Sequence, residues 1–295
     1  MEASRLYIVD LASSLAEACG GRGCSRECLR EFIHWNYRYL RPYVEEHLDG
    51  RIDVLVDLLD EMFSLHPRLC KSKIELKGYP VAGMEEVLSN LSLLLQWPIN
   101  AVLILFYTGF DLALSAYGEY TYVGLEWFAD PSLVGELRDP GLREVVGYLH
   151  RRGWGFIAAN LAHELAHIHT PTIKGDPLLA RLLEEGRACL VSWLVNPHAG
   201  IEGILPLVGR SLSEYEGCHG ELLQLLARYM RGEAVVSERE LFSPTFHDPV
   251  CGLPMTGYYL DFLAVHKLLL GRGVNYVLSM DDTRGVLGDL LEAIA

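Results

Sequence analysis

Residues 88–110 decide whether this chain can enter a membrane. The stretch is rich in Leu, Ile and Val, but Gln96, Pro98 and Asn100 interrupt it. A spanning helix needs about 20 consecutive, mostly apolar residues, and the uninterrupted runs are shorter than that. Because proline disfavours a helical conformation in the residue before it, we predict a helix that ends near Gln96 and a buried strand over residues 99–107. Membrane association is therefore not expected.

The charge balance restricts the partners of the chain. It has 295 residues, half of them apolar, with 25 Lys and Arg against 39 Asp and Glu, for a net charge of −14. This excess of negative charge repels phosphate backbones and anionic lipid headgroups, so we expect no nucleic-acid partner. The N-terminus, MEASRLYIVD, lacks the basic start and apolar core of a signal peptide. These features predict a cytoplasmic protein.

The cysteines allow two interpretations. There are seven, an odd number in a long chain, which is not typical of a secreted disulfide framework. Cys19, Cys24 and Cys28 lie close together and suggest a zinc cluster, but they contain no CxxC pair. We favour ordinary reduced thiols in a helical segment.

The apolar pattern predicts a mostly helical domain. Residues 1–70 show apolar side chains at helical spacing, and residues 120–128 form a second strand candidate rich in aromatic and β-branched residues. After Pro131 the chain is mainly helical again, and Pro140 opens one of these helices. We predict an α+β, predominantly helical single domain over residues 1–295. Its helical N-terminal part covers residues 1–98, and a part with a small β-sheet and the candidate catalytic residues covers 99–295.

The motif that carries chemistry is His163-Glu164-Leu165-Ala166-His167, an HExxH sequence. Helical residues four apart share a face, so His163 and His167 can reach one metal ion from one helix. Glu164 lies about 100° round the helix from His163, where it can contact a metal-bound water without ligating the metal. The alternative is a helical domain in which both histidines are polar surface residues that bind no metal.

A third ligand is available downstream. Pro171, Gly175 and Pro177 mark a turn, and the helix predicted after it carries Glu184 and Glu185. A helical hairpin of this length can return Glu185 to the histidines, which would give a His₂Glu site with one open position. On the residues alone, Glu184 remains a rival.

Together these residues resemble a known family. His163 and His167 followed by Glu185, in the setting Glu-Gly-Arg-Ala, resemble the gluzincin metallopeptidases, which include thermolysin and the zinc aminopeptidases. The resemblance covers residues 154–194. The chain is also similar to less characterised predicted zinc-dependent proteases with a late Gly-Tyr pair, which Gly257-Tyr258-Tyr259 resembles. The resemblance implies a gluzincin-like pair of zinc helices that hold Zn²⁺ through His163, His167 and Glu185, because the family's ligand directly precedes a small residue.

Other zinc peptidase types fit less well. A metzincin requires Gly at 170 and His at 173, where this chain has Thr170 and Ile173, and the inverted HxxEH order is absent. His169 is expected to face away from the metal. One departure from the thermolysin-like pattern is Cys189, which stands where those enzymes have an acidic residue that orients a histidine. It supports an alternative, a catalytically inactive gluzincin-like metal-binding or interaction protein.

The resemblance implies a zinc-dependent peptidase that acts on a peptide or protein substrate. Glu164 is expected to be the general base toward a metal-activated water. Gluzincins also use a Tyr or His donor for the oxyanion, and Tyr258 is our candidate, with Tyr259 and His247 as alternatives and His219 as a weaker one.

Two further residues are open to a role in the site. Asn160, one turn before Glu164, either contacts the metal site or faces solvent. Glu126 lies on the second predicted strand, which we expect to be the substrate-binding edge, and would bind a substrate amino terminus in an aminopeptidase. Gly83-Met84-Glu85-Glu86 resembles the aminopeptidase signature only superficially. The choice between endopeptidase and aminopeptidase stays open, and the sequence indicates no oligomeric state.

Overall fold

The computed structural model describes residues 4–76, 81–134, 140–196, 199–207, 210–243 and 247–294. The chain divides into two compact units, Met1–Ile168 and His169–Ala295. The described residues are mostly helical with one small sheet, which confirms the predicted α+β class. The single-domain organisation and the gluzincin-like pairing of zinc helices stay predictions.

The first unit contains a four-stranded mixed sheet in the order β1-β2-β4-β3. β1 and β4 both pair in parallel with β2, and β3 pairs antiparallel with β4. In the register, Leu103 lies opposite Ile8 on one side and Thr121 on the other. The strands are β1 (Arg5–Asp10), β2 (Asn100–Phe106), β3 (Leu114–Tyr117) and β4 (Tyr120–Gly124).

The predicted strands are confirmed in part. β2 matches the prediction over residues 99–107, and its continuous apolar run suits a strand covered on both sides. The second predicted strand ends at Gly124, and Leu125–Phe128 form a 3₁₀ turn instead. β4 lies between β2 and β3. The prediction that it is a substrate-binding edge strand is therefore wrong.

The predicted helical start of the chain is also wrong, because Arg5–Asp10 form β1. Its partner β2 is remote in sequence, and local helical periodicity does not reveal such a pairing. A helix begins directly after the strand, where the Asp10 carboxylate accepts a hydrogen bond from the Ser13 amide at 2.8 Å.

Helices form most of the rest of the first unit. The helix predicted to end near Gln96 ends at Leu95, and Gln96 adopts a positive φ of 66°. None of the helices in the described ranges combines the length and apolar character that a bilayer-spanning segment needs. The helices are α1 (Leu11–Cys19), α2 (Arg26–Trp35), α3 (Tyr37–Pro42), α4 (Ile52–Leu65), α5 (Val81–Leu95), α6 (Pro131–Val134), α7 (Pro140–Arg152) and α8 (Trp154–His169).

Six of the seven cysteines form disulfides, so both predictions for them are wrong. The predictions considered only the spacing of neighbouring cysteines. Cys24, however, bonds to a cysteine 46 residues away, and local spacing does not identify such a partner. Disulfides are rare in cytosolic proteins of most organisms. The cysteines therefore do not support the cytoplasmic location, which stays a prediction. The pairs are Cys19–Cys28, Cys24–Cys70 and Cys218–Cys251, and Cys189 is a buried free thiol.

The second unit is built from helices around an apolar core. Its centre is the packing of α9 against α14, which contribute many of the buried Leu, Val and Phe side chains. The helices are α9 (Pro177–Val195), α10 (Ile201–Ile204), α11 (Leu212–Glu216), α12 (His219–Met230), α13 (Glu238–Phe242), α14 (Thr256–Arg272), α15 (Val274–Ser279) and α16 (Thr283–Ile294).

Candidate metal centre

The two histidines of the HExxH motif lie on α8, as predicted. The helix starts after Gly153, which has a positive φ of 48°. His163 and Glu164 are buried, with exposures of 6% and 8%. The Nε2 atoms of His163 and His167 are 3.2 Å apart, so the two imidazoles direct the same nitrogen toward one point.

Glu185 lies on α9, which has strong start signals. Asp176 is the N-cap and accepts a hydrogen bond from the Leu179 amide at 2.9 Å, while Pro177 occupies the first turn. Two helical turns later, Glu185 is buried, with an exposure of 3%. A carboxylate at this depth requires a charged or hydrogen-bonding partner.

The predicted metal ligands come together. His163, His167 and Glu185 each offer one ligand atom, and these atoms all lie within 4.8 Å of one another. Two nitrogens bound to one tetrahedral zinc ion, each at about 2.0–2.1 Å, lie about 3.3 Å apart. The 3.2 Å separation of the two Nε2 atoms fits that value. The three residues form a possible metal-binding group.

Glu184, the rival ligand, has a different role. Its Oε1 accepts a hydrogen bond from the Ile173 amide at 2.7 Å. This bond ties α9 to the turn that precedes it. Glu184 is absent from the group of converging ligand atoms.

Arg181 is the charged partner of Glu185 that sequence reasoning missed. It lies one helical turn earlier on α9, and its Nη2 is 2.8 Å from Glu185 Oε1. The guanidinium also interacts electrostatically with Tyr258 and lies over the Phe242 ring, 5.6 Å from its centroid. The i, i+4 spacing of Arg181 and Glu185 is the available sequence signal.

Tyr258 is the favoured candidate for the oxyanion donor. It is half-buried on α14 and packs edge-on against Phe242, with ring centroids 5.1 Å apart. Burial and, next, the negative charge of Glu185 raise its pKa well above the ordinary value. The phenol therefore keeps its O–H donor at neutral pH.

The other donor candidates have different contacts. The Tyr259 hydroxyl is 3.1 Å from Nδ1 of His219, so these two side chains are engaged with each other. His247 is exposed and bridges to Pro254 within a loop.

Asp261, also on α14, is a buried acid that the sequence analysis overlooked. Burial first, and the charge of Glu185 second, raise the pKa of its carboxyl well above the ordinary value. Its main chain packs on Gly186, where an added Cβ would lie 2.4 Å from the Asp261 carbonyl oxygen. This close approach of α14 explains why a glycine follows the candidate ligand Glu185.

Arg187, from the Glu-Gly-Arg-Ala sequence, holds the turn before α9. It is buried, and its Nη1 and Nη2 donate to the carbonyl oxygens of Met280 at 2.8 Å and Pro171 at 2.5 Å. Burial lowers its pKa to about 10, so it remains a cation at neutral pH.

Asn160 and His169 lie on α8, the helix that carries His163 and His167. The Asn160 side chain is buried and donates to the Phe156 carbonyl oxygen of its own helix at 2.9 Å, so the alternative that it faces solvent is wrong, and its contact with the metal site stays a prediction. His169 is half-buried, and burial lowers its pKa. As predicted, it does not join the converging ligands.

Glu126 closes a loop, so its predicted role as the binder of a substrate amine is wrong. The side chain has no exposed surface. Its Oε1 accepts hydrogen bonds from the Thr108 amide, the Thr108 hydroxyl and the Phe110 amide at 2.8, 2.6 and 2.8 Å. Burial raises the pKa of this carboxyl despite these three bonds.

Comparisons with known proteins add no family to this picture. No protein-family model matches the chain, and no curated protein and no solved structure matches it. The gluzincin resemblance therefore depends on the residues quoted for it, within residues 154–194 and at 257–259.

Proposed function

We propose that this chain is a zinc-dependent peptidase. The observation that carries the proposal is the convergence of one ligand atom each from His163, His167 and Glu185, all within 4.8 Å of one another. Two imidazole nitrogens and one carboxylate oxygen are the ligands of many catalytic zinc sites, which keep a further position for water or substrate. Metal binding alone would not indicate a reaction. The HExxH order, which places Glu164 next to a ligand histidine, is typical of metalloproteases and therefore supports hydrolysis.

Zinc is the ion that we assign to this donor set. Imidazole suits several transition metals, whereas Mg²⁺ and Ca²⁺ prefer oxygen ligands alone. When bound, zinc supplies a Lewis acid that polarises a carbonyl group and lowers the pKa of water.

Glu164 is the proposed general base. It adjoins the ligand His163 on α8 and is buried, which favours proton transfer in a water-poor environment. Its carboxylate accepts a proton from the attacking water and then delivers that proton to the leaving amine of the cleaved peptide bond.

Tyr258 is the proposed donor to the oxyanion that forms on the scissile carbonyl. Its raised pKa keeps the hydroxyl protonated, and its electrostatic interactions with Arg181 and Glu185 support a position near the candidate ligand Glu185. A prepositioned donor of this kind contributes about 10²–10³ in kcat in other hydrolases.

The experiment that tests the function is the substitution Glu164→Gln in zinc-loaded protein, assayed on a quenched peptide library. We expect the wild type to cleave peptides and the variant to retain zinc while losing essentially all cleavage, because the amide cannot accept the water proton. Glu184→Gln is the matched control and should remain active. Undiminished cleavage by Glu164→Gln would rule out the mechanism.

Cys189 favours a second candidate function. It is a fully buried thiol on α9, at the position where thermolysin-like enzymes carry an acid that orients a zinc-binding histidine. A gluzincin-like protein without this acid could bind metal and serve as an inactive interaction protein. Wild-type protein that binds zinc and cleaves no peptide in the library would favour this candidate.

A further inference from the structure

Arg181 connects the candidate ligand Glu185 to two other helices of the second unit. Its Nη2 is 2.8 Å from Glu185 Oε1. The same guanidinium interacts electrostatically with Tyr258 on α14 and lies over the ring of Phe242 of α13. Its Nε is also 3.8 Å from Glu238 Oε1, at the start of α13. Contacts on several sides hold this side chain in place.

The pair is asymmetric in burial, and this asymmetry indicates what it does. The Arg181 side chain is 42% exposed, whereas that of Glu185 is 4% exposed. An exposed i, i+4 ion pair contributes little to stability. A buried carboxylate, however, takes its orientation from the donor that it meets, and the rigid guanidinium fork fixes direction better than a flexible ammonium does.

We propose that Arg181 is a positioning residue for the metal centre and that it orients the Glu185 carboxylate toward the cation held with His163 and His167. A carboxylate has lone pairs for two partners, so Arg181 and a metal ion can be bound together. Tyr258 and Phe242 in turn hold the guanidinium. This inference rests on the proposed metal centre, and it is independent of peptidase activity.

The direction in which metal affinity changes when Arg181 is removed distinguishes a positioning role from simple charge repulsion. A positive charge close to the site repels a divalent cation, so removing Arg181 would tighten metal binding if charge alone mattered. Loss of a group that orients a metal ligand instead weakens binding, typically by about 10–100-fold. The positioning role therefore predicts weaker binding after Arg181 is removed.

The test compares Arg181→Met and Arg181→Lys with the matched control Arg210→Met. Arg210 pairs with Glu214 at the same i, i+4 spacing and is also 42% exposed, but Glu214 is not among the converging ligands. The measurements are the Kd for Zn²⁺, by competition with a chromophoric chelator, the visible spectrum of the Co²⁺-loaded protein, and the Tm of each metal-free variant.

We expect Arg181→Met to raise the Kd about 10–100-fold and to alter the Co²⁺ spectrum. Arg181→Lys should raise the Kd less, because it retains one donor, and Arg210→Met should leave both readouts unchanged. Equal affinities for Arg181→Met and Arg210→Met, or tighter binding by Arg181→Met, would overturn the inference. If Arg181→Met does not fold, Arg181→Lys decides, and an unchanged Kd and spectrum would overturn it.

The same experiment separates this inference from the proposed function. A wild-type protein that binds neither Zn²⁺ nor Co²⁺ would refute both. A wild-type protein that binds metal without cleaving peptides would refute the peptidase proposal alone, and the affinities of the Arg181 variants would still decide the positioning role.

Discussion

Two glutamates, one in each unit, are almost completely buried and differ in what holds them. Glu126 in the first unit has no exposed surface and accepts three hydrogen bonds from Thr108 and Phe110, all neutral donors of one loop. Glu185 in the second unit is 3% exposed and is paired with the cation of Arg181. Only Glu185 has its oxygen within 4.8 Å of two imidazole nitrogens.

The difference teaches that the partners of a buried carboxylate, rather than its burial, indicate its role. Donors from one nearby loop bind Oε1 of Glu126 and close that loop, whereas its Oε2 is buried and has no hydrogen-bond partner among the described residues. Glu185 is oriented by a charged side chain and converges with histidines. That combination is typical of metal centres, in which an outer group orients the ligand.

The largest expected effect is on metal affinity. Glu185→Gln removes the anionic ligand and the charge that attracts the cation, so we expect the Kd for zinc to rise at least about 100-fold. Glu126→Gln and Glu184→Gln should bind zinc like the wild type. Isothermal titration of the three variants with zinc measures these affinities. A wild-type affinity for Glu185→Gln would contradict the claim that Glu185, unlike Glu126, is a metal ligand.

The next effect is on the stability of the first unit. Glu126→Ala leaves the amides of Thr108 and Phe110 without their acceptor, whereas the Thr108 hydroxyl can still donate to the Leu112 carbonyl oxygen at 2.9 Å. We expect the free energy of unfolding to fall by about 2–4 kcal/mol, since each abandoned buried donor costs about 1–3 kcal/mol and the loop relaxes in part. Urea unfolding measures it. A loss below about 1 kcal/mol would show that the loop does not need this carboxylate.

A smaller effect is expected at Gly186 on α9, where α14 packs closely against α9 within the second unit. Gly186→Ala places a Cβ 2.4 Å from the Asp261 carbonyl oxygen, so the helices must separate, at a cost of about 1–3 kcal/mol. Gly220→Ala on α12 is the control, because nothing lies within 4 Å of its added Cβ. Thermal unfolding of both variants gives the comparison, and equal Tm values would contradict the close packing.

The smallest effect is a dependence of stability on pH. Burial raises the pKa of Glu126 in the folded protein above 4.5, so the unfolded chain releases this proton at lower pH than the folded chain does. Stability contributed by this group is therefore full below about pH 4.5 and falls as pH rises toward the folded pKa. Glu126→Gln does not titrate, so its unfolding free energy should fall less than that of the wild type between pH 4.5 and 7. Parallel curves for the two proteins would contradict the raised pKa.

Local patterns were sufficient to predict the elements that carry the candidate site. The HExxH spacing, the Pro-Gly turn and the apolar periodicity predict α8 and α9, because caps, turns and helical faces depend on neighbours in sequence. The apolar run that forms β2 was predicted on the same grounds.

Features that depend on distant partners were not predictable in this way. The pairing of β1 with β2 and the Cys24–Cys70 disulfide join segments that are remote in sequence. Asp261 is a single acid in an apolar stretch of α14, so the neighbouring sequence does not mark it as a candidate residue. Its packing against α9 is what draws attention to it. The predicted role of Glu126 is wrong because the local pattern places it on a strand and does not reveal the loop that its side chain contacts.

The central claim is that His163, His167 and Glu185 hold one divalent cation. It is tested most directly by anomalous diffraction at the zinc absorption edge from crystals of zinc-loaded protein. We predict one strong anomalous peak at about 2.0–2.2 Å from an imidazole nitrogen of each histidine and from a Glu185 carboxylate oxygen. Zinc-loaded crystals with no peak at these three residues, or with the zinc bound only elsewhere, would contradict the account.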